Sequence, residues 1–468
     1  LSAKEPTGHA IVLGASIGGL LAARVLSESY AKVTIFDRDE LPTDATARKG
    51  VPQGEHSHGL LARGGQVLEE LFPGFAADLT AQGAVPIDMQ RDGIWVNDGR
   101  RIPRVASGLD GLCVSRPTLE AYVRDRVRAL PRVEIHSGHE AVGLLTNPDR
   151  TVVTGARTLP RHGTEQQHDA DLVVDATGRG NRGPTWLTEL GYERPHEDLV
   201  DSNTFYVSRD YRRTPGEADF AAIVHTPSPA NPYGAVAIAA EGDRWMVTLI
   251  GVGHAPPTDP EGTLAFATRL PNPELHALFS RAEPLGPPKK MRLPTSVRRR
   301  YEQLSRLPEG FIAVADALCS FNPAYGQGMT VASAEAIVLR DCLRQGRQGL
   351  PARFFAKAAK VIDVPWDMAV GGDLRYPEVV GARSRRTTFL NAYVAKVHIA
   401  AERHAVVGSC FMRVANLMAP PQALFSPGIV ARVLWSGRRP RPPMGTSNPP
   451  VSGPTTGTGT ERQLEPLA

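Results

Sequence analysis

The stretch HAIVLGASIGGLLAARVLSESYAKVTIFDRD, His9 to Asp39, decides how the chain is read. Ala10 to Leu13 is a short apolar run of buried-strand length. Gly14, Ser16 and Gly19 hold the three positions of a G-x-G-x-x-G turn. Leu20, Leu21, Ala23, Val25 and Leu26 then give one apolar helix face, and Lys32 to Phe36 is a second short strand closed by Asp37. Strand, glycine turn, helix and strand in this order predict a dinucleotide-binding βαβ unit. The first glycine permits the tight turn and the third lets the helix approach the sheet. The helix N-terminus offers unpaired N–H groups and a positive dipole end to a pyrophosphate. Asp37 follows Gly19 by 18 residues, close to the spacing of about 20 for the acid that holds a ribose hydroxyl. A carboxylate there repels a 2′-phosphate, so FAD or NAD fits better than NADP. Ser16 replaces the second glycine; it is small enough for close phosphate approach and its hydroxyl can donate.

Bulk properties narrow the class. The 468 residues allow two or three domains. Net charge is +4, but Arg438, Arg439, Arg441 and Arg462 in the tail face only Glu461 and Glu465, so half the excess lies there. The body makes no case for nucleic acid. Cys113, Cys319, Cys342 and Cys410 are far apart and form no C-x-x-C, which suits a reducing cytoplasm and predicts neither a disulfide framework nor a zinc site. The longest apolar window, Ala10 to Ala23, spans 14 residues with three glycines, too short to cross a bilayer. An acid-terminated strand follows it where a signal peptide would have a cleavage site. His56 and His58 form an H-x-H pair with no third ligand nearby, so no metal is expected.

Further along, Gly59 to Leu71 and Cys113 to Val127 read as helical segments, the second with Ser115 as N-cap. Arg116 at that helix start opposes the dipole, which predicts an anion beside it. Val133 to His136 and Val152 to Thr158 read as strands of a meander. Asp171 to Ala176 is a buried strand running into TGRGNRG, where Gly178, Gly180 and Gly183 spell a second G-x-G-x-x-G. The next helix, Thr185 to Leu190, is short. A tight strand-to-loop turn pressed against the first dinucleotide is therefore favoured over a separate NADPH site. Asn203 to Ile250 breaks into short β-rich segments, read as a mostly antiparallel substrate domain, and Arg298, Arg299 and Arg300 read as a solvated face. Phe311 to Val314 is another buried strand, followed by Asp316, by a second small-residue loop with Pro323, Gly326 and Gly328, and by a long helix that includes Met329.

At these residues the chain resembles the FAD-dependent aromatic-hydroxylase and epoxidase class of flavoprotein monooxygenases, over most of residues 8 to 436. The resemblance implies that Gly14, Ser16, Gly19 and Asp37 bind the ADP half of FAD, and that Arg116 contacts the cofactor near its phosphates. VADA matches the family's G-D motif with Ala315 in place of glycine, which puts Asp316 at the ribityl chain and pyrophosphate. FNPAYGQGM resembles the P-x-x-G-x-G loop beside the flavin pyrimidine, which brings in Pro323, Gly326, Gly328 and Met329. Arg38 and Arg48 complete the expected cofactor set. RKGVPQGEHSH, DLVVDATGRG and FNPAYGQGM together are similar to bacterial flavin epoxidases of polyether and related natural-product pathways, distant relatives of squalene epoxidase.

The implied fold is α/β: a Rossmann-like FAD-binding domain of parallel sheet plus β-meander, an inserted mostly antiparallel substrate domain, and a C-terminal helical region. The corresponding bounds are 8–80, 105–190 and 290–365 for the FAD-binding domain and 81–104 with 191–289 for the substrate domain. Helices fill 366–436 and a disordered tail 437–468. The implied chemistry is transfer of one oxygen from O2, through a flavin C4a-hydroperoxide, to an apolar olefinic polyketide or terpenoid. NAD(P)H supplies electrons directly or through an external reductase, because Ala176-Thr177-Gly178 stands where the hydroxylases carry D-G. No catalytic side chain is nominated for epoxidation, since the flavin does the chemistry. Tyr206, Trp245, Phe321 and Tyr325 are candidate pocket walls, with His58 or Tyr206 as the base that phenol hydroxylation would want. Aromatic hydroxylation and isoprenoid double-bond reduction remain the alternatives. The aromatic-x-W-x-F-P motif of the reductases and W-x-W-x-I-P of the halogenases are both absent. A non-catalytic FAD-binding protein is the reading from a different class. Ala423 to Arg441, apolar then basic, is read as a docked terminal helix in preference to a membrane-surface contact.

Overall fold

The computed structural model describes residues 5–436. Its centre is a five-stranded parallel sheet in the order Phe311–Ala313, Leu172–Asp175, His9–Leu13, Lys32–Phe36, Val133–His136. The His9–Leu13 strand lies in the middle, which is why Ala10 to Leu13 are fully buried and carry no polar side chain. The Ile17–Leu26 helix follows it and packs against the Gly328–Leu343 helix on the same face.

Val133–His136 is therefore the edge of the parallel sheet and not part of the meander expected for it. A four-residue strand carries no mark of its partner; the Arg116–Arg128 helix that precedes it returns the chain parallel to Lys32–Phe36. The meander is His139–Thr146, Val153–Pro160 and Gln166–Asp169.

A second sheet of eight strands runs Cys319–Ser320, Pro284–Arg299, Glu197–Arg212, Arg244–Val252, Tyr233–Ala240, Ala222–His225, Gly93–Asn97, Arg100–Arg101. Every pairing is antiparallel except that of Ala222–His225 with Gly93–Asn97. Glu197–Arg212 and Pro284–Arg299 are 16 residues each, long enough to run from the parallel-sheet domain out into the second core. Val85–Asp88 does not join this sheet; it pairs with Asp110–Cys113 in a separate ribbon.

The C-terminal helices divide between the two cores. Leu350–Asp373 packs Phe354, Phe355 and Ile362 into the parallel-sheet core, with Pro365 inside the helix. Arg385–Arg403, Ala405–Ala415 and Pro427–Ser436 send Val397, Met412 and Val433 into the antiparallel core beside Ile94 and Ile102. Pro427–Ser436 is docked through Ile429 and Val433 while Leu434 and Trp435 stay about half exposed. Among the described residues no helix is long and apolar enough to cross a membrane. The expected tail, 437–468, lies outside the described residues.

The glycine turn explains itself sterically. A Cβ on Gly19 would sit 1.8 Å from the Gly14 carbonyl oxygen, and Gly14 adopts φ +107. Gly180 of the TGRGNRG loop has open space instead. Gly19→Ala should cost about 3 kcal/mol, the upper range for overpacking against backbone, whereas Gly180→Ala should stay within about 0.5 kcal/mol of wild type. Urea unfolding of both variants checks this pair; equal losses would remove the distinction between the two loops.

Candidate functional site

The first glycine loop is ringed by charge. Asp37 is 6% exposed. It accepts from the Ala15 N–H at 2.6 Å, from the Asp39 N–H at 2.9 Å and from Arg48 at 3.2 Å. A carboxylate offers about four acceptor positions, so one is left for a ligand hydroxyl. Arg48 also donates to Asp39 at 2.9 Å and Glu120 at 2.8 Å, yet its Nη2 is buried with no partner among the described residues. Ser16 Oγ donates to Glu120 at 2.8 Å and accepts from Arg116 at 2.7 Å. The anion that Arg116 demanded is first of all Glu120, one turn along the same helix at 3.0 Å. Burial alone would raise the Glu120 carboxyl; Arg116 and Arg48 outweigh it and hold it below the usual range. Glu120 was not foreseen, because nothing in a helical E flanked by arginines marks it as buried. Arg38 is exposed.

The turn that ends the Phe311–Ala313 strand meets the first glycine loop. Ala315 adopts φ +54, a left-handed conformation that costs a non-glycine residue about 1–2 kcal/mol. It lies so close to the first turn that a Cβ on Gly18 would be 2.5 Å from the Ala315 Cβ. The Ala315 N–H is held by Glu335 Oε2 at 2.6 Å. Burial, opposed by this bond and reinforced by Asp316, pushes the Glu335 carboxyl up to about 8. Its other oxygen is buried without a partner among the described residues. No group among those residues donates a hydrogen bond to the Asp316 carboxyl. Burial raises it, while Arg116, Arg179 and Arg299 pull against that.

Arg299 corrects the reading of the arginine triple as a solvated face. Arg298 is 2% and Arg299 7% exposed. Arg299 pairs with Glu197 at 2.9 Å and donates to the carbonyls of Ala317 at 3.1 Å and Arg179 at 3.2 Å. Arg298 pairs with Asp363 at 2.7 Å. The strand carrying them lies between two others, and buried guanidiniums persist there only because each has carboxylate or carbonyl partners. Arg179 comes from the TGRGNRG loop, and the residue before that loop packs on the first glycine turn: a Cβ on Gly14 would meet the Ala176 carbonyl oxygen at 2.4 Å.

Pro323–Tyr325 forms one 3-10 turn, Gly326 takes φ +65, and the helix opens at Gly328 around empty space. Met329 is buried in the core, a packing role. Tyr206 donates to the Asn322 side chain, Tyr325 donates to Asp373 at 3.0 Å, and the Phe321 ring lies 6.3 Å from Trp366. Tyr206, Phe321 and Tyr325 thus share one neighbourhood. Trp245 does not. It pairs with Tyr211, five residues from Tyr206 on the same strand, and an odd step puts it on the opposite sheet face. Its indole donates to Glu217 at 2.8 Å and packs near Phe220, so the pocket role expected for Trp245 gives way to core packing. His58 contacts the His56 carbonyl through Nδ1 at 2.9 Å.

The parallel sheet with a glycine-turn fingerprint, the eight-stranded second sheet and the helical end define the fold of the FAD-dependent monooxygenases. A flavoprotein/dehydrogenase from Cytophaga hutchinsonii matches over 91% of this chain and 96% of its own, at TM-score 0.64 and 15% identity. PqsL, a probable FAD-dependent monooxygenase from Pseudomonas aeruginosa, matches over 79% and 97% at TM-score 0.59 and 16% identity. No family model matches the chain. Protein Rv3254 of Mycobacterium tuberculosis is 36% identical over 390 residues, 80% of this chain and 81% of that protein, and the chain belongs to its family.

Because the folded Glu335 is raised, the stability it contributes is full below about pH 4.3, its unfolded value, and is lost as pH rises through about 8. Glu335→Gln keeps an acceptor for Ala315 and should remove that pH dependence. Glu335→Ala should cost about 1–3 kcal/mol by orphaning the N–H. Thermal unfolding from pH 5 to 9 tests both; parallel wild-type and Gln profiles would contradict a protonated Glu335.

Proposed function

We propose that the chain is an FAD-dependent monooxygenase that adds one oxygen atom of O2 to an apolar olefinic polyketide or terpenoid, with alkene epoxidation as the reaction. The observation that carries this reading is the meeting of the first glycine turn with the Ala315–Ala317 turn at Gly18 and Ala315, which lets one extended dinucleotide touch both. The residues present fit FAD. Asp37 keeps an acceptor position for a ribose hydroxyl, and Arg48 keeps an unpaired buried N–H. Ser16, Arg116 and the Ile17–Leu26 helix start would hold the pyrophosphate, Asp316 the ribityl chain, and the Gly326–Gly328 backbone the pyrimidine edge. Bound flavin would supply two electrons to O2, so that one oxygen atom goes to the substrate and the other leaves as water; NAD(P)H would recharge it directly or through a reductase.

The chain's own task is to seat the substrate and exclude water. Register puts Trp95, Val224, Val236 and Thr248 in one cross-strand row on the same face as Tyr206. Trp95, Val224 and Val236 are half-buried. Trp95 spends its N–H on the Met89 carbonyl at 2.6 Å, so the row offers an apolar floor without unpaired donors. This supports an apolar substrate.

One observation favours aromatic hydroxylation as the second reading. Burial and Arg116 push His58 down to about 4, so its imidazole is neutral at pH 7. With Nδ1 facing a carbonyl, Nε2 is free to accept a phenol proton. Tyr206 is a poor base, since its hydroxyl donates to Asn322 and burial raises it further.

Purified protein should be yellow, and Asp316→Ala should lose most bound FAD while staying folded; full occupancy in that variant would sink the assignment. Candidate polyenes under labelled O2 should gain one labelled oxygen. A gain of two hydrogens or a halogen would replace the reaction, and strict dependence on His58 with a phenol would promote the hydroxylase.

A further inference from the structure

Asp373 ends the Leu350–Asp373 helix and is 4% exposed. Among the described residues no cation pairs with it: Arg375, two residues on, is paired with Asp98 at 2.7 Å. A buried carboxyl without a counter-ion is costly, and here its donors both come from the loop between the Cys319–Ser320 strand and the Gly328–Leu343 helix. Tyr325 Oη donates at 3.0 Å and Asn322 Nδ2 at 3.0 Å to the same oxygen. Asn322 in turn accepts from Tyr206 on the antiparallel sheet and from the Ala324 N–H at 3.1 Å. The helix is shaped to admit the phenol, since a Cβ on Gly372 would fall 2.2 Å from Tyr325 Oη.

We infer that Asp373 is a positioning residue for the flavin loop: through Tyr325 and Asn322 it fixes both ends of the Pro323–Tyr325 turn, and so sets where the Gly326–Gly328 backbone stands. What that backbone contacts rests on the FAD reading above; the lock itself does not. The two bonds bracket the turn, one on the residue before Pro323 and one on its last residue, and Gly326 follows directly.

The groups facing Asp373 are Tyr325 from the loop, Tyr206 from the sheet and Tyr376 beyond the helix, all phenols raised by burial and by Asp373 itself. Burial pushes the Asp373 carboxyl up to about 7, against the pull of Tyr325 and Asn322. A raised folded value means that its stabilisation is complete below the unfolded value near pH 4 and is lost as pH rises through about 7.

The test uses Asp373→Asn, Tyr325→Phe and Gly372→Ala in the purified full chain. The melting temperature of the Asn variant relative to wild type should climb from pH 5 to 8.5, and Tyr325→Phe should move the midpoint upward by removing a donor to the carboxylate. With added FAD, the wild-type flavin absorbance band should shift with a midpoint near pH 7. Asp373→Asn should lose the shift, and Tyr325→Phe and Gly372→Ala should each bind FAD about tenfold more weakly, the effect of one lost hydrogen bond. A flat melting difference overturns the titrating lock. Wild-type FAD affinity and spectra in both Tyr325→Phe and Gly372→Ala overturn the positioning role. A chain that takes up no FAD overturns the proposed function and the flavin part together, while the melting profiles still decide the lock.

Discussion

The 2.6 Å hydrogen bond from the Ala315 N–H to Glu335 joins the end of the Phe311–Ala313 edge strand of the parallel sheet to the helix that opens at Gly328. It holds Ala315 in the left-handed region, where its methyl group abuts Gly18 of the first glycine turn. Two loops more than 290 residues apart in sequence are thereby brought within one methyl group of each other. Asp316 follows in the same turn and faces three guanidiniums from three different elements. Everything assigned to the site depends on that junction, because a ligand long enough to touch both helix starts needs them at a fixed separation.

Charge at the junction is arranged in alternation. Arg48 pairs with Asp37, Asp39 and Glu120, Arg116 with Glu120 and Arg299 with Glu197, so that each of these buried guanidiniums has a carboxylate. Such pairing adds little net stability, since desolvation offsets most of the attraction. Its consequence is orientation: Arg116 is held against Ser16, where an anion at the helix start would meet it. Among the described residues, the Arg48 Nη2 is buried without a partner and leaves the network incomplete there.

Much of the fold was legible because its signals are local. The glycine turn, Asp37 at its strand end and the loop before Gly328 are fixed by backbone sterics within a few residues, and the structure places them as read. Partners are not local. Val133–His136 reads equally as edge strand or meander, and the helix before it decides. Arg298 to Arg300 looks like a solvated run, yet the strand carrying it enters the interface between the two sheets, where Glu197 and Asp363 meet it. Glu335 and Asp373 left no trace in the sequence, since their burial depends on elements far from them in the chain.

The order of residues alone determined the dinucleotide turn, its acid and the second small-residue loop, because steric limits on glycine and serine act between near neighbours. Only tertiary packing decided which of the aromatic side chains lie together. Sheet register turns Tyr206 toward the loop and Trp245 away, since an odd step along a strand reverses the face. It likewise decided which carboxyls stay protonated, because desolvation is set by whatever the folded chain brings around a group.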